Sequence, residues 1–212
     1  KDFSIDGVAI DSAADAGLFG TLNNCAVSNL ELRDFNVQTI AVHAGSLVGT
    51  GSGLTVTNVL ARNTVSDDNG LEIKGSGSVG GLMGQVSNTS LDKCAAAVYV
   101  NSSGAAAGGL VGKVTDNSYI KNSYAGGHTK DGAYTKDTTG VARINVQAAT
   151  NAGCLVGEAS FAEGDTIRIQ NSYATTSVKG ENLAGGLVGS ATNGKIDKCS
   201  APGLVVAGDG ND

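Results

Sequence analysis

The apolar residues of this chain fall into short clusters separated by polar turns, and the clusters return. Ala184-Gly185-Gly186-Leu187-Val188-Gly189 has five counterparts: Ala16-Gly17-Leu18-Phe19-Gly20, Gly45-Ser46-Leu47-Val48-Gly49, Gly80-Gly81-Leu82-Met83-Gly84, Gly108-Gly109-Leu110-Val111-Gly112 and Gly153-Cys154-Leu155-Val156-Gly157. Their leucines, at 18, 47, 82, 110, 155 and 187, lie 29, 35, 28, 45 and 32 residues apart. A second cluster follows each one. It reads Leu91-Asp92-Lys93-Cys94-Ala95 after the third copy and Ile196-Asp197-Lys198-Cys199-Ser200 after the sixth. After the fourth and fifth it reads Ile120-Lys121-Asn122-Ser123-Tyr124-Ala125 and Ile169-Gln170-Asn171-Ser172-Tyr173-Ala174. The first two copies carry more apolar versions, Val27 to Leu32 and Val56 to Ala61. Self-similarity over roughly 20–50 residues marks a repeat architecture. Each unit predicts a glycine-bounded strand, a polar turn, a second strand and a connection of variable length.

These strands are short and rich in β-branched residues, and no stretch keeps a helical period of 3.6 with caps. The fold predicted is all-β, a right-handed parallel β-helix (β-solenoid) of about six repeats. A sandwich would not bring the same side chain back to the same place while the loops vary. The chain is read as a single solenoid domain over 1–212. Residues 1–15 form an opening strand and cap, on the alternation of Phe3, Ile5, Val8 and Ile10; 16–206 hold the six repeats, and 207–212 are a tail. Adjacent residues of a strand face opposite sides, so Leu110 and Val111 conflict unless the chain bends. The flanking glycines permit a bend that turns both inward.

Composition sharpens this picture. Glycine is abundant at 32 residues and proline occurs once, while 41% of the chain is apolar at regular positions. Glycine therefore serves turns, where positive φ or close backbone approach excludes a side chain. The net charge of −6 and the absence of a basic run argue against a nucleic-acid partner. No apolar run approaches the roughly 20 residues of a membrane span. The chain opens on Lys1 without a signal peptide, which reads as a piece of something longer. Of the four cysteines, Cys94 and Cys199 share a slot with Ser123 and Ser172. With rungs about 4.8 Å apart, stacking holds Cys94 and Cys199 beyond the roughly 7 Å limit for a bridge. Cys25 and Cys154 have no evident partner. Free, buried thiols are expected.

Little in the chain points to catalysis. Gly75-Ser76-Gly77-Ser78-Val79-Gly80 matches the dinucleotide fingerprint in letters but lacks its strand–helix context. His43 and His128 begin no HExxH, and no nucleophile–base set can be nominated. Asp67, Asp68, Asp131 and Asp137 read as turn residues, and the Gly208–Asp212 tail as an oxygen-rich turn. No catalytic residue, metal or cofactor is expected. Two long connections, 61–79 and 126–151, stand out, the first with an extra strand over Leu71–Lys74. Excursions of this kind map to one face of a solenoid and carry binding. The candidate binding residues are His128, Lys130, Tyr134 and Arg143, an aromatic among cations that suits a glycan or a protein.

Gly185-Gly186-Leu187-Val188-Gly189 followed by Ile196-Asp197-Lys198-Cys199, with Ala107–Gly112 followed by Ile120–Ala125, resembles the GLUG motif. Asp15–Gly20 with Val27–Leu30 resembles the unit that opens such arrays, so the likeness runs from about 16 to 206. The motif occurs in bacterial surface proteins, including the non-catalytic region of immunoglobulin A1 metalloproteases and adhesin-like proteins. The resemblance implies a β-helical array in a secreted or cell-surface bacterial protein, beside neighbouring domains of a larger chain. It implies a non-catalytic module for adhesion to host glycan or glycoprotein, or a spacer. The protease activity of the larger relatives sits in a domain with HExxH, which this chain lacks. The competing reading is a β-helical enzyme acting on polysaccharide, which a row of carboxylates along one groove would favour.

Overall fold

The strands pair in parallel, each with its counterpart in the repeat before and the repeat after. The computed structural model describes residues 3–40, 42–64, 70–126, 144–164 and 166–208. Within them the chain winds as a β-solenoid whose strands stack into four sheets. A short face holds Ser78–Gly80, Ala106–Gly108, Asn151–Gly153 and Leu183–Gly185, continued by single bridges at Ala16 and Ala44. A second face holds Phe19–Asn23, Val48–Ser52, Met83–Ser87, Val111–Asp116, Val156–Phe161 and Val188–Thr192. A long face begins with the unbroken strands Ala26–Arg33 and Thr55–Arg62, then splits into pairs such as Ser90–Asp92 and Ala95–Ala97. The return face runs from Ala9–Ser12 and Asn36–Thr39 through Glu72–Gly75, Tyr99–Ser102, Ile144–Ala148 and Ser177–Gly180 to Val205–Ala207. Phe3–Asp6 pairs with Leu30–Arg33 and Ala9–Ser12 with Asn36–Thr39, so the first strands lie against the first repeat.

Repeated residues stack because the register holds them. Val188, Val156, Val111, Met83, Val48 and Phe19 form one continuous row. Leu47, Leu82, Leu110 and Leu155, and beside them Val48, Met83, Val111 and Val156, are all fully buried. In these four coils both members of the pair therefore face the core, whereas Phe19 of the first coil is exposed and Leu187 and Val188 of the last are only partly buried. The leucine sits in the corner before the strand, and the strand starts at the valine. Val56, Leu91, Ile120 and Ile169 line the long face inside, and Val37, Ile73, Val146 and Val178 the return face. Each such side chain contributes about 1.5–3 kcal/mol of burial.

The bend works through close approach, not through positive φ. A Cβ on Gly108 would lie 1.9 Å from the carbonyl oxygen of Val111 and 2.6 Å from the backbone nitrogen of Gly157. Left-handed positions belong to another set of residues. Asn29, Asn58, Lys93, Asn122, Asn171 and Lys198, one per coil, have φ between 49° and 57°. They make the corner in the middle of the long face. Asparagine tolerates this region better than other side chains because its amide bonds locally. Asn58 donates to Asn29 Oδ1 at 2.8 Å and Asn171 to Asn122 Oδ1 at 3.3 Å.

The expectations about particular segments fare unevenly. Leu71–Lys74 is not an extra strand: Glu72–Gly75 is the regular return strand, paired with Asn36–Thr39 and Tyr99–Ser102. The four thiols are free, but only Cys94 and Cys154 are buried; Cys25 is exposed and Cys199 partly so. Ser46 and Cys154, which stand where other repeats have glycine, bond neighbouring carbonyls, Gly81 at 2.7 Å and Thr176 at 3.0 Å. No helix among the described residues is long and apolar enough to cross a membrane.

Candidate functional site

The two long connections leave from one corner of the solenoid. The first departs after the long-face strand Thr55–Arg62 and rejoins at Glu72–Gly75; the second departs after Tyr124–Ala125 and rejoins at Ile144–Ala148. Both run from the long face to the return face, because insertions are tolerated where chain ends need only reach the next rung. His128, Lys130, Tyr134 and Arg143 belong to the second connection and lie outside the described residues, as do Asp67 and Asp68 of the first. The described feet of these excursions are firmly held. Thr64 N–H donates to Asp34 Oδ1 at 2.6 Å, and Asn63 Nδ2 to the carbonyl oxygen of Leu71 at 3.2 Å. Gly126 N–H donates to Ala96 at 2.8 Å. Gly126 has φ 151°, and a Cβ there would meet Thr175 Oγ1 at 1.9 Å, so only glycine starts the second excursion this way.

The surface beside these feet is polar and aromatic. Arg33 and Arg62 occupy paired positions of adjacent strands and share one carboxylate. Glu31 accepts from Arg33 Nη2 and from Arg62 Nε, each at 2.5 Å, while its side chain is only 13% exposed. The hydrogen bond from Arg33 holds the Glu31 carboxyl below its ordinary range; burial opposes this and Arg62 adds to it. Tyr124 and Tyr173 stack with centroids 5.1 Å apart and planes 6° from parallel. Burial raises the Tyr124 phenol, and the neighbouring Tyr173 adds to the rise. The stack joins the paired long-face strands Tyr124–Ala125 and Tyr173–Ala174 of neighbouring coils.

The sequence reading passed over Glu31, Arg33 and Arg62. A signal was present, since Arg33 and Arg62 are 29 residues apart, the interval between Leu18 and Leu47. A recess of about 190 Å³ beside Glu31, lined by Asn29, Leu30, Asn58 and Leu60, is below the roughly 300–1,000 Å³ of a small-molecule pocket. Among the described residues no group of three His, Cys, Asp or Glu side chains converges as a metal site would require. Among the described residues Glu31, Glu72 and Glu158 each pair with a cation.

Residues 180–206 match the family model of the GLUG motif. This span covers the last short-face strand, Leu183–Gly185, through most of the return strand Val205–Ala207. Val188 within it continues the row that Val156, Val111, Met83 and Val48 form in earlier coils. No curated protein and no solved structure gives a significant match to the chain.

Proposed function

We propose that this chain is a non-catalytic repeat module of a larger secreted or cell-surface bacterial protein. In this reading a rigid solenoid carries excursions that recognise a host glycan or glycoprotein. The observation that supports it most is the common origin of the excursions. Both leave the same corner, two coils apart, beside the Tyr124–Tyr173 stack and the Arg33–Arg62 pair. A stacked core supplies a fixed spacing, and the connections are free to vary without loss of core packing. An open platform of aromatic edges, amides and guanidinium groups suits an extended ligand such as a sugar chain.

The test is binding of the purified chain to an array of glycans and host glycoproteins, beside a variant with residues 128–142 replaced by a short Gly-Ser turn. The replacement stops short of Ile144–Ala148, a return-face strand whose removal would damage the stack. Saturable binding that the variant loses supports a recognition module with its site in the excursion. Absence of binding by both proteins sinks the recognition role and leaves a spacer.

A further inference from the structure

Arg168 is a cation shut inside the outer layer of the long face. It is 3% exposed. The register slips between Ile167 and Ile169 against Lys195–Asp197, and a bulge of this kind re-aims the side chain it carries. The guanidinium lies 5.0 Å over the ring of Tyr119, and Nη2 donates to Asn117 Oδ1 at 3.1 Å. Its Nε and Nη1 have no acceptor, and no described carboxylate forms an ion pair with it. A Cβ on Gly194 would come 2.6 Å from Arg168 Cγ, so glycine at that position leaves room for the stem. On the same ring the exposed Lys121 places its Nζ 5.5 Å from the centroid.

A buried guanidinium with idle donors and no counter-charge among the described residues is strongly unfavourable, and such a group calls for an anion that completes it. We infer that Arg168, Lys121 and Asn117 around Tyr119 form a binding site for the oxyanion of an acidic sugar, a carboxylate or a sulfate ester. Asn117 is exposed and its amide oxygen holds the position an oxyanion takes on Nη2. A charged acceptor displaces a neutral one there because the charge-assisted bond is stronger. The forked donors of arginine match the two oxygens of a carboxylate, and Lys121 adds a second cation at the rim. The half-buried phenol ring between them offers its edge to a pyranose. This site lies on the opposite half of the long face from the excursion corner, and it stands or falls independently of the reading above.

The experiment titrates the full chain at constant ionic strength with tri-galacturonate, a heparin-derived tetrasaccharide, a neutral galactose trimer, sodium sulfate and a Glu-rich peptide. Heat is recorded, and so is the NMR signal of the Arg168 Nε–H. An acidic sugar that binds and shifts that signal, with no response to the neutral trimer, is the expected result. Lys121→Gln, an exposed change, should weaken binding about tenfold, and Arg168→Lys, which keeps the charge but loses the fork, at least as much. Equal binding of the Glu-rich peptide, or a response to sulfate alone, overturns the assignment to a sugar. An unshifted Nε–H signal with every ligand overturns the site. So does unchanged affinity in both variants.

Discussion

The backbone N–H of Cys94 donates to the Oγ of Ser123 one coil on, at 3.1 Å, and both residues are fully buried. Ser123 N–H makes the same bond to Ser172 Oγ at 3.2 Å. Each hydroxyl donates in turn to the carbonyl two residues before it, Lys121 at 2.6 Å and Gln170 at 2.8 Å. A column of small polar side chains thus satisfies the corner where the long face folds.

Removal of one hydroxyl from this column should be costly. Ser123→Ala leaves the Cys94 N–H buried without an acceptor, and about 1–3 kcal/mol of stability should be lost. Urea denaturation of the variant measures it. A loss below a few tenths of a kcal/mol would mean that water replaces the hydroxyl.

Lys93 is a strained member of the left-handed row, with φ 55° and its neighbours in the row, Asn58 and Asn122, both asparagine. A side chain other than asparagine or glycine costs about 1–2 kcal/mol in this region. Lys93→Asn should therefore stabilise the chain by about 1 kcal/mol, seen as a rise in Tm of about 2–4 °C. A fall in Tm would show that the lysine makes a contribution beyond its backbone.

Two glycines of the repeat should respond differently to alanine. Gly108→Ala drives a Cβ to 1.9 Å from a backbone carbonyl and should cost about 3 kcal/mol. The nearest atom to a Cβ on Gly186 is 3.5 Å away, so Gly186→Ala should change stability by less than about 1 kcal/mol. Equal effects in thermal melts would remove close approach as the reason for the glycines.

His43 ties three coils together. Its Nδ1 accepts from Ser78 N–H at 2.9 Å, its own N–H donates to Asp15 at 3.2 Å, and its carbonyl accepts from Ala16. Burial lowers its pKa from 6.5, Asp15 opposes this, and Lys113 adds slightly to the lowering. The folded chain then binds fewer protons than the unfolded chain, so stability rises with pH across the window. The contribution is whole above about 6.5, the unfolded value, and fades as the pH falls toward the lower folded value. Stability measured from pH 7 to pH 5 should drop in the parent chain and drop less in His43→Gln. Parallel curves would exclude the buried His43 imidazole as the sensor.

Thiol labelling of the native chain should proceed in the order Cys25, Cys199, Cys94. Cys25 is exposed, Cys199 partly exposed, and burial pushes the Cys94 thiol up to about 11. The thiolate is the reactive form, so Cys94 should remain unlabelled until the fold opens. Early labelling of Cys94 would contradict its inward position.

The repeat was legible because each coil makes the same demands. Leu110 returns as Leu82 and Leu155 since each must fill the same corner against its neighbours. Ser123 and Ser172 could be read as inward from their exchange with Cys94, since only a small group fits there. The asparagine row was visible as letters, but its left-handed backbone was not, because Lys93 and Lys198 broke the pattern. Candidate chemistry was less legible. Tyr134 and its neighbours were chosen by loop length and residue type, whereas Glu31, Arg33, Arg62 and Arg168 depend on register.

What the sequence by itself determined about this protein is the parallel stack. A period that returns glycine, leucine and valine to equivalent places can bury its apolar side only against copies of itself. Only the tertiary structure decided which excursions share a corner, which carboxylate lies between Arg33 and Arg62, and that Arg168 sits on Tyr119 without an ion-pair partner among the described residues. Those relations join residues 29–51 positions apart through rung spacing and one-residue slips of register, and a linear pattern does not carry such offsets.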